Sequence, residues 1–194
     1  MTLSKRDITN AIITGATTGV LAWQILKHLE KPTTAWLIVI VPVLWIAGVQ
    51  FGYFLGRWIK PFEQFGIFAA IGFTNFTVDA GVLNLLIATT GIAVGVWYTV
   101  FKSISVVIAV THSYFWNRHW TFSSHAKPEG EFIKFIFVYL VSIAINVAAA
   151  SLVVNVLAPV GSDPKIWANI GSIVGSAIGL IFSFVGFRTV VFKK

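Results

Sequence analysis

A long apolar stretch that carries a carboxylate constrains this chain most. The 22 residues from position 65 to 86 are almost wholly apolar, which is long enough for a helix to span a bilayer. Asn75, Asp79 and Asn84 interrupt its second half. An ionised carboxylate in hydrocarbon costs on the order of 3 kcal/mol, so Asp79 needs a partner or a cavity.

Lys102 is the partner that the sequence offers, because no other Lys or Arg lies inside an apolar segment. With one helix ending near Ile87 and the next beginning near Ala93, both charges lie roughly 12–13 Å from the turn, at about 1.5 Å per residue. The sequence therefore predicts an Asp79–Lys102 pair between antiparallel neighbours. Two interpretations stay open: a structural ion pair that locks the hairpin, and a polar path or ligand site.

The composition is that of a polytopic membrane protein, with 57% hydrophobic and 11% charged residues. The fold predicted is all-α, with six transmembrane helices at about residues 8–26, 35–55, 65–86, 93–116, 132–157 and 166–187. The net charge of +7 fits basic membrane rims rather than nucleic-acid binding. The absence of cysteine excludes disulfides and thiol chemistry.

Basic residues favour a cytoplasmic location for both termini, and hence the cytoplasmic membrane, because cytoplasmic loops carry an excess of Lys and Arg. With the chain starting inside, ten lie on inner rims and three on outer rims, beside Lys102 in the membrane. The inner set is Lys5, Arg6, Arg57, Lys60, Arg118, Lys127, Lys134, Arg188, Lys193 and Lys194. The outer set is Lys27, Lys31 and Lys165.

An internal repeat divides the later part of the chain. Asn75 and Asn146 are 71 residues apart, and Arg118 and Arg188 are 70 apart, each Arg being followed by Phe after three residues. Each half is a two-helix hairpin that starts and ends on the cytoplasmic side, so the repeats are parallel rather than inverted. The predicted organisation is an extra N-terminal two-helix region, 1–60, and a four-helix membrane domain, 61–194, with halves 61–123 and 131–194. In the last helix, glycines at 171, 175 and 179 form a face suited to close helix packing.

Residues 63–192 resemble the GtrA-like family of small membrane proteins. The motifs that carry the resemblance are F-x(6)-G-x-x-N-x-x-x-D, then N-R-x-W-x-F, then F-x-x-x-R-x-x-x-F. They fall on Phe65, Gly72, Asn75 and Asp79, then on Asn117, Arg118, Trp120 and Phe122, and finally on Phe184, Arg188 and Phe192. The family typically has four spans, so the first two helices are extra. Ser183 and Gly186 stand where an Asn is common.

The resemblance implies translocation of a polyprenyl-phosphate-linked sugar across the cytoplasmic membrane, for glycosylation of cell-surface polysaccharide. On that interpretation Arg118, beside Asn117, and Arg188 receive the lipid phosphate, and Lys102 is its next contact. Candidates to bind the sugar hydroxyls are Asp79, Asn75 and Asn146, and Trp97 or Tyr98 could stack on the sugar. Structural alternatives are headgroup anchoring for the arginines and helix–helix hydrogen bonds for Asn75 and Asn146.

Two other functions stay open: a non-transporting scaffold for a glycosyltransferase, and a cation exporter of the small multidrug resistance type. An enzyme is not expected, because no nucleophile–base set or acidic metal cluster is visible. His112, His119 and His125 have too few carboxylates near them for a metal site, and no cofactor is predicted. The expected partners are the sugar lipid, membrane lipids and, if the protein is a scaffold, a glycosyltransferase. A second copy of the chain is also expected, because a few short spans enclose a bulky head group only thinly.

Overall fold

The computed structural model describes residues 3–28, 32–125, 128–159 and 164–192, where all regular structure is helical. The six long helices are α1 (Lys5–His28), α2 (Leu37–Leu55), α3 (Pro61–Thr90), α4 (Gly95–Trp116), α5 (Pro128–Leu152) and α6 (Pro164–Gly186). This confirms the all-α prediction. Within the described ranges, five helical segments are long and apolar enough to cross a membrane: Leu37–Leu55, Pro61–Thr90, Gly95–Thr121, Gly130–Leu157 and Ile170–Val191. Four lysines of the charge count, Lys31, Lys127, Lys193 and Lys194, lie outside the described residues.

Local sequence signals set several helix ends. A reciprocal capping box starts α1: the Asp7 N–H donates to Ser4 Oγ at 3.1 Å, and the Ser4 N–H donates to Asp7 Oδ2 at 3.2 Å. Pro61 begins α3, where its missing N–H costs no helical hydrogen bond. Gly91 ends the same helix with φ 72°, a left-handed conformation that suits glycine, and its N–H donates to Ile87 O at 2.8 Å.

Helices α4 and α6 both end in a wider, π-helical turn of five residues. The turn after α4 is Asn117–Thr121, and the turn after α6 is Phe187–Val191. The Phe122 N–H donates to Asn117 O at 2.9 Å, and the Phe192 N–H donates to Phe187 O at 2.8 Å. The two turns occupy equivalent positions at the 70-residue offset that separates Arg118 from Arg188.

Helices α1 to α4 form one compact unit, Met1–Ser123, called the N-terminal unit here. Its core joins Ala11 of α1, Val49 of α2 and Ile71 of α3. The buried Thr74 hydroxyl of α3 accepts hydrogen bonds from Thr18 Oγ1 at 3.0 Å and from Trp45 Nε1 at 3.1 Å. The described part of the extra N-terminal region, α1 and α2, therefore packs against the first hairpin as part of the same unit.

Helices α5 and α6 form the second compact unit, Ser124–Lys194, called the C-terminal unit. The glycine face of α6 lies against α5: a Cβ on Gly175 would approach Asn146 O to 2.5 Å. A Cβ on Gly171 would meet Ala150 O at 2.9 Å, so only glycine allows this spacing. The predicted packing face is thus confirmed. At the other end of the hairpin, Phe135 stacks on Phe187 with ring centroids 4.3 Å apart.

Large apolar side chains cover the outside of both units. Examples are Phe76, 70% exposed, and Ile133, 71% exposed. Such exposure would drive aggregation in water but is favourable in contact with lipid tails. Backbone hydrogen bonding within helices satisfies the polar main chain, as hydrocarbon requires.

Candidate functional site

The centre of the candidate site is an ion pair between neighbouring helices of the N-terminal unit. Lys102 Nζ of α4 lies 2.5 Å from Asp79 Oδ2 of α3, so the predicted contact is present. The two side chains remain 40% and 25% exposed, respectively. The pair therefore lies at the protein surface, where another ligand could reach the ammonium group.

Ser105 also holds the Asp79 carboxylate. Its hydroxyl donates to Asp79 Oδ1 at 2.6 Å, while the residue itself is fully buried. Ser105 lies three residues after Lys102, so both project from the same face of α4 toward α3. Each Asp79 oxygen thus has one hydrogen-bond partner on α4. Sequence reasoning missed Ser105, although its spacing from Lys102 was the available signal.

Two polar side chains on α3 and α4 contain a buried atom that has no hydrogen-bond partner among the described residues. One is Asn75 Oδ1, and the other is His112 Nδ1. Asn75 lies four residues before Asp79 and so shares its face of α3. His112 lies seven residues after Ser105 on α4, two helical turns away on the same face, and its ring packs near Trp116 with centroids 6.2 Å apart.

Arg118 and Asn117 lie in the π-helical turn after α4. Arg118 is 9% exposed, and its Nη1 donates to Tyr114 Oη at 3.0 Å. Asn117 is 1% exposed; its Nδ2 donates to Ser113 O at 2.9 Å, and its Oδ1 accepts from Thr121 Oγ1 at 3.0 Å. The structure thus uses the Asn117 amide to hold the turn from inside, below the molecular surface.

The remaining predicted residues lie in two other places. Trp97 and Tyr98 are exposed near the start of α4, 58% and 40% respectively. In the C-terminal unit, Arg188 is partly buried in the π-helical turn after α6, and Asn146 lies against the glycine face of α6. The geometry therefore joins Asp79 and Lys102 directly. Asn146 packs against Gly175 and Gly179 of α6, while its predicted helix–helix hydrogen bond stays a prediction.

A second polar cluster, which the sequence indicated only through its capping box, lies where α1 begins. Asp7 is 7% exposed and accepts hydrogen bonds from Ser4 Oγ at 2.6 Å, Trp120 Nε1 at 3.0 Å and Tyr53 Oη at 3.2 Å. Burial acts to raise the pKa of Asp7, but the hydrogen bonds outweigh it and hold the pKa below its ordinary value of 3.8. This cluster, together with an Arg6 hydrogen bond to the His119 carbonyl, ties α1 to α2 and to the turn after α4.

A comparison with known protein families gives a match over most of the later part of the chain. The model described as GtrA/DPMS, transmembrane domain, matches residues 67–192, more than half of the chain. The chain belongs to this family. No curated protein and no solved structure matches it. The family match begins inside α3, so α1 and α2 lie before the matched residues.

Membership of the GtrA/DPMS family makes this a multi-pass membrane protein and suggests a membrane function related to polyprenyl-phosphate sugars. The match contains the whole Asp79–Lys102–Ser105 group, Arg118 and Arg188. The candidate site therefore belongs to the part of the chain that the family shares.

Proposed function

We propose that this GtrA/DPMS protein translocates a polyprenyl-phosphate-linked sugar across the cytoplasmic membrane, for glycosylation of cell-surface polysaccharide. The observation that carries the proposal is the partly exposed Lys102–Asp79 pair on helices that cross the membrane. Ionisable groups at such depth are costly and usually serve transport or ligand binding.

The pair can exchange hydrogen-bond partners while a lipid head group passes. At rest, Asp79 neutralises Lys102 at 2.5 Å. When a lipid phosphate arrives, the ammonium group can turn to it, because a lysine side chain is long and its three donors rotate freely. Asp79 then keeps the Ser105 hydrogen bond at 2.6 Å and can accept a hydroxyl of the sugar. Each step replaces one charge-assisted hydrogen bond by another, which lowers the cost of moving the head group.

Further groups extend the proposed path along the same helices. Asn75 Oδ1 lies one turn from Asp79 and lacks a hydrogen-bond partner among the described residues, so it can accept from a sugar hydroxyl. Arg118 lies in the turn after α4 and is the proposed first contact for the phosphate at the inner rim. Trp97 or Tyr98, exposed near the start of α4, would stack on the sugar at the outer rim.

The C-terminal unit would supply a second, less complete copy of this arrangement. Its π-helical turn carries Arg188 at the place that Arg118 has in the first copy. A π-helical turn also follows α5, at Val153–Leu157, so the support for the parallel repeat comes from the matched positions of Arg118 and Arg188. We propose that Arg188 is a second contact for the anionic phosphate and that Asn146 is mainly a packing residue.

Six membrane crossings with cytoplasmic termini complete the proposal. The contacts of α1 support its crossing: Asp7 at its start meets Tyr53 near the end of α2, and Leu21 in its later half packs against Gly81 of α3. α1 thus runs beside α3 through most of its length. Because the chain has no cysteine, a single Cys at position 5 or 97 is a unique thiol. Labelling by an impermeant maleimide should reach position 5 only from the cytoplasm and position 97 only from outside.

The alternatives are less well supported by the site. A proton-coupled cation exporter needs an available membrane carboxylate, whereas Asp79 is paired with Lys102, and Glu63 lies at the start of α3, 3.5 Å from Lys60. A scaffold for a glycosyltransferase would use the same family fold without moving lipid. We propose a non-catalytic role, in which the chain's residues bind and guide the lipid.

Reconstitution of the purified protein separates translocation from scaffolding. Liposomes would carry a polyprenyl-phosphate sugar in both leaflets, and an impermeant sugar-modifying enzyme outside would report accessible head groups. Translocation predicts that protein-containing liposomes lose the protected inner fraction faster than empty ones. Equal protection in both would contradict translocation and favour the scaffold, which co-purification of a glycosyltransferase would then test.

A further inference from the structure

A groove on the N-terminal unit lies away from the ion pair and has no role in the site described above. It runs between α2 and α3 and has a volume of about 360 Å³. Its lining extends from Leu44 to Leu55 on α2 and from Phe62 to Phe73 on α3. The eleven helical steps between the first and last lining residue of each helix give the groove a length of about 16 Å. The α2 wall lies outside the residues that match the family.

The walls and the floor of this groove differ in character. Aromatic rings form much of the walls, contributed by Trp45, Phe51, Phe62, Phe65 and Phe73. Small residues form the floor, namely Gly48, Gly52, Gly66, Ala69 and Ala70. α2 and α3 approach closely there, since a Cβ on Gly52 would lie 2.9 Å from Gly66 Cα. The small residues therefore leave room for apolar branches between the aromatic rings.

One end of the groove meets a basic rim. Leu55 and Phe62 line that end, and Arg57 and Lys60 lie two residues beyond each of them in the link between the helices. Both are exposed, Lys60 with 76% of its side chain, although its Nζ lies 3.5 Å from Glu63 Oε1. The Arg57 guanidinium lies over the Phe54 ring at 5.5 Å. An apolar groove that ends at two cations fits a lipid with a long tail and an anionic head.

We infer that the α2–α3 groove binds the isoprenoid tail of the lipid, with its phosphate beside Arg57 and Lys60, as a loading position at the inner rim; this rests on the proposed function. The small lining residues favour an isoprenoid over a straight acyl chain, because an isoprenoid carries a methyl branch on every unit and small side chains leave room for these branches. The Asp7 hydrogen bonds to Tyr53 and Trp120 place the end of α2 and the turn after α4 at the same end of the unit. A lipid loaded in the groove is therefore at the end of the unit where Arg118 lies.

Photo-crosslinking with a groove-filling variant tests this inference. The probe is a polyprenyl phosphate with a diazirine on its tail, added to proteoliposomes of the full-length protein, with labelled peptides located by mass spectrometry. Gly48→Phe fills the groove, and it should fold, because a Cβ at Gly48 meets nothing within 4 Å. Val43→Phe adds the same ring to α2 outside the groove lining, where Val43 is 59% exposed, and is the matched control.

The inference predicts labelling of 44–55 and 62–73, reduced about tenfold by Gly48→Phe, which equals about 1.4 kcal/mol of lost binding, and unchanged by Val43→Phe. Arg57→Gln with Lys60→Gln should lower the same labelling, and excess phosphatidylglycerol should not displace the probe. The inference would be overturned by labelling outside these segments, by labelling of Gly48→Phe as strong as that of the wild type, or by displacement of the probe by phosphatidylglycerol. Should Gly48→Phe fail to fold, Ala69→Phe fills the groove from α3 and is judged by the same criteria.

The two proposals fail in different ways in these experiments. If the wild-type protein translocates lipid but the groove is not labelled, the groove is not the tail site and the proposed function still stands. Groove labelling in protein that does not accelerate translocation would support the tail site and contradict the proposed function. Measuring both in the same proteoliposomes separates them.

Discussion

Removing both partners of the Asp79–Lys102 pair should cost less stability than the sum of the two single removals. At 2.5 Å, the charges attract by about 7 kcal/mol at an effective dielectric constant near 20, before desolvation and screening are subtracted. Because the side chains are 25% and 40% exposed, solvent offsets most of that attraction. We expect a net coupling energy of about 0.5–3 kcal/mol, the range for residues in direct contact.

The single variants should differ in a definite order. Lys102→Ala leaves Asp79 with only the Ser105 hydroxyl, and an unpaired charge in hydrocarbon costs about 3 kcal/mol. Asp79→Ala should cost less, because the long lysine side chain can extend its ammonium group toward water. The double variant should lose no more than Lys102→Ala. In glycosylation or lipid translocation, each single change should reduce activity, and the double change should be no worse than the worse single.

Unfolding in mixed detergent micelles, followed by circular dichroism, measures these free energies. Ser103→Ala is a matched control on α4, because its exposed hydroxyl donates only to Thr99 O, at 2.8 Å. Combined with Asp79→Ala, it should be additive within about 0.5 kcal/mol. The same additivity for Asp79→Ala with Lys102→Ala would refute the reasoning.

Three further predictions concern the rest of the fold. Gly175→Ala should destabilise the C-terminal unit by about 1–3 kcal/mol, measured by thermal unfolding, because its Cβ would meet backbone at 2.5 Å; Gly130→Ala, whose Cβ meets nothing within 4 Å, is the control. Asp7→Asn should remove a contribution to the free energy of unfolding that the wild type has above pH 4 and loses as pH falls through the lowered pKa of folded Asp7. Unfolding measured against pH checks this, and a parallel loss of stability in wild type and variant below pH 3.8 would contradict it. Arg118→Ala should weaken binding of a polyprenyl phosphate more than Arg188→Ala, by titration in nanodiscs; equal or reversed losses would count against that ranking.

The sequence predicted the helices well because apolar length and breakers are local signals. Pro61 and Gly91 mark the two ends of α3, and both lie within a few residues of the predicted limits. The Asp79–Lys102 contact was also predictable, since few charges lie in apolar segments and depth restricts their partners. The real turn lies farther from Asp79 than predicted and nearer to Lys102, and the length of the lysine side chain bridges the difference.

Features that depend on packing between helices could not be predicted in the same way. The sharing of Thr74 by Thr18 and Trp45 needs three helices in a particular rotation, which periodicity alone does not fix. The burial of Asn117 depends on the π-helical turn, and no residue pattern in this chain signals that turn. The α2–α3 groove likewise arises from where glycines meet rings across two helices.

The central claim is that the ion pair lies on the lipid path rather than only locking a hairpin. The charge-swapped variant, Asp79→Lys with Lys102→Asp, tests it most directly in the proteoliposome translocation assay, with stability measured alongside. A purely structural ion pair depends only on the attraction between the two charges. A lipid-binding role also needs the cation on α4 and the carboxylate beside Ser105. The account predicts that the swap restores much of the stability lost in the single variants but leaves translocation impaired. Recovery of both stability and wild-type translocation would contradict it and assign the pair a purely structural role.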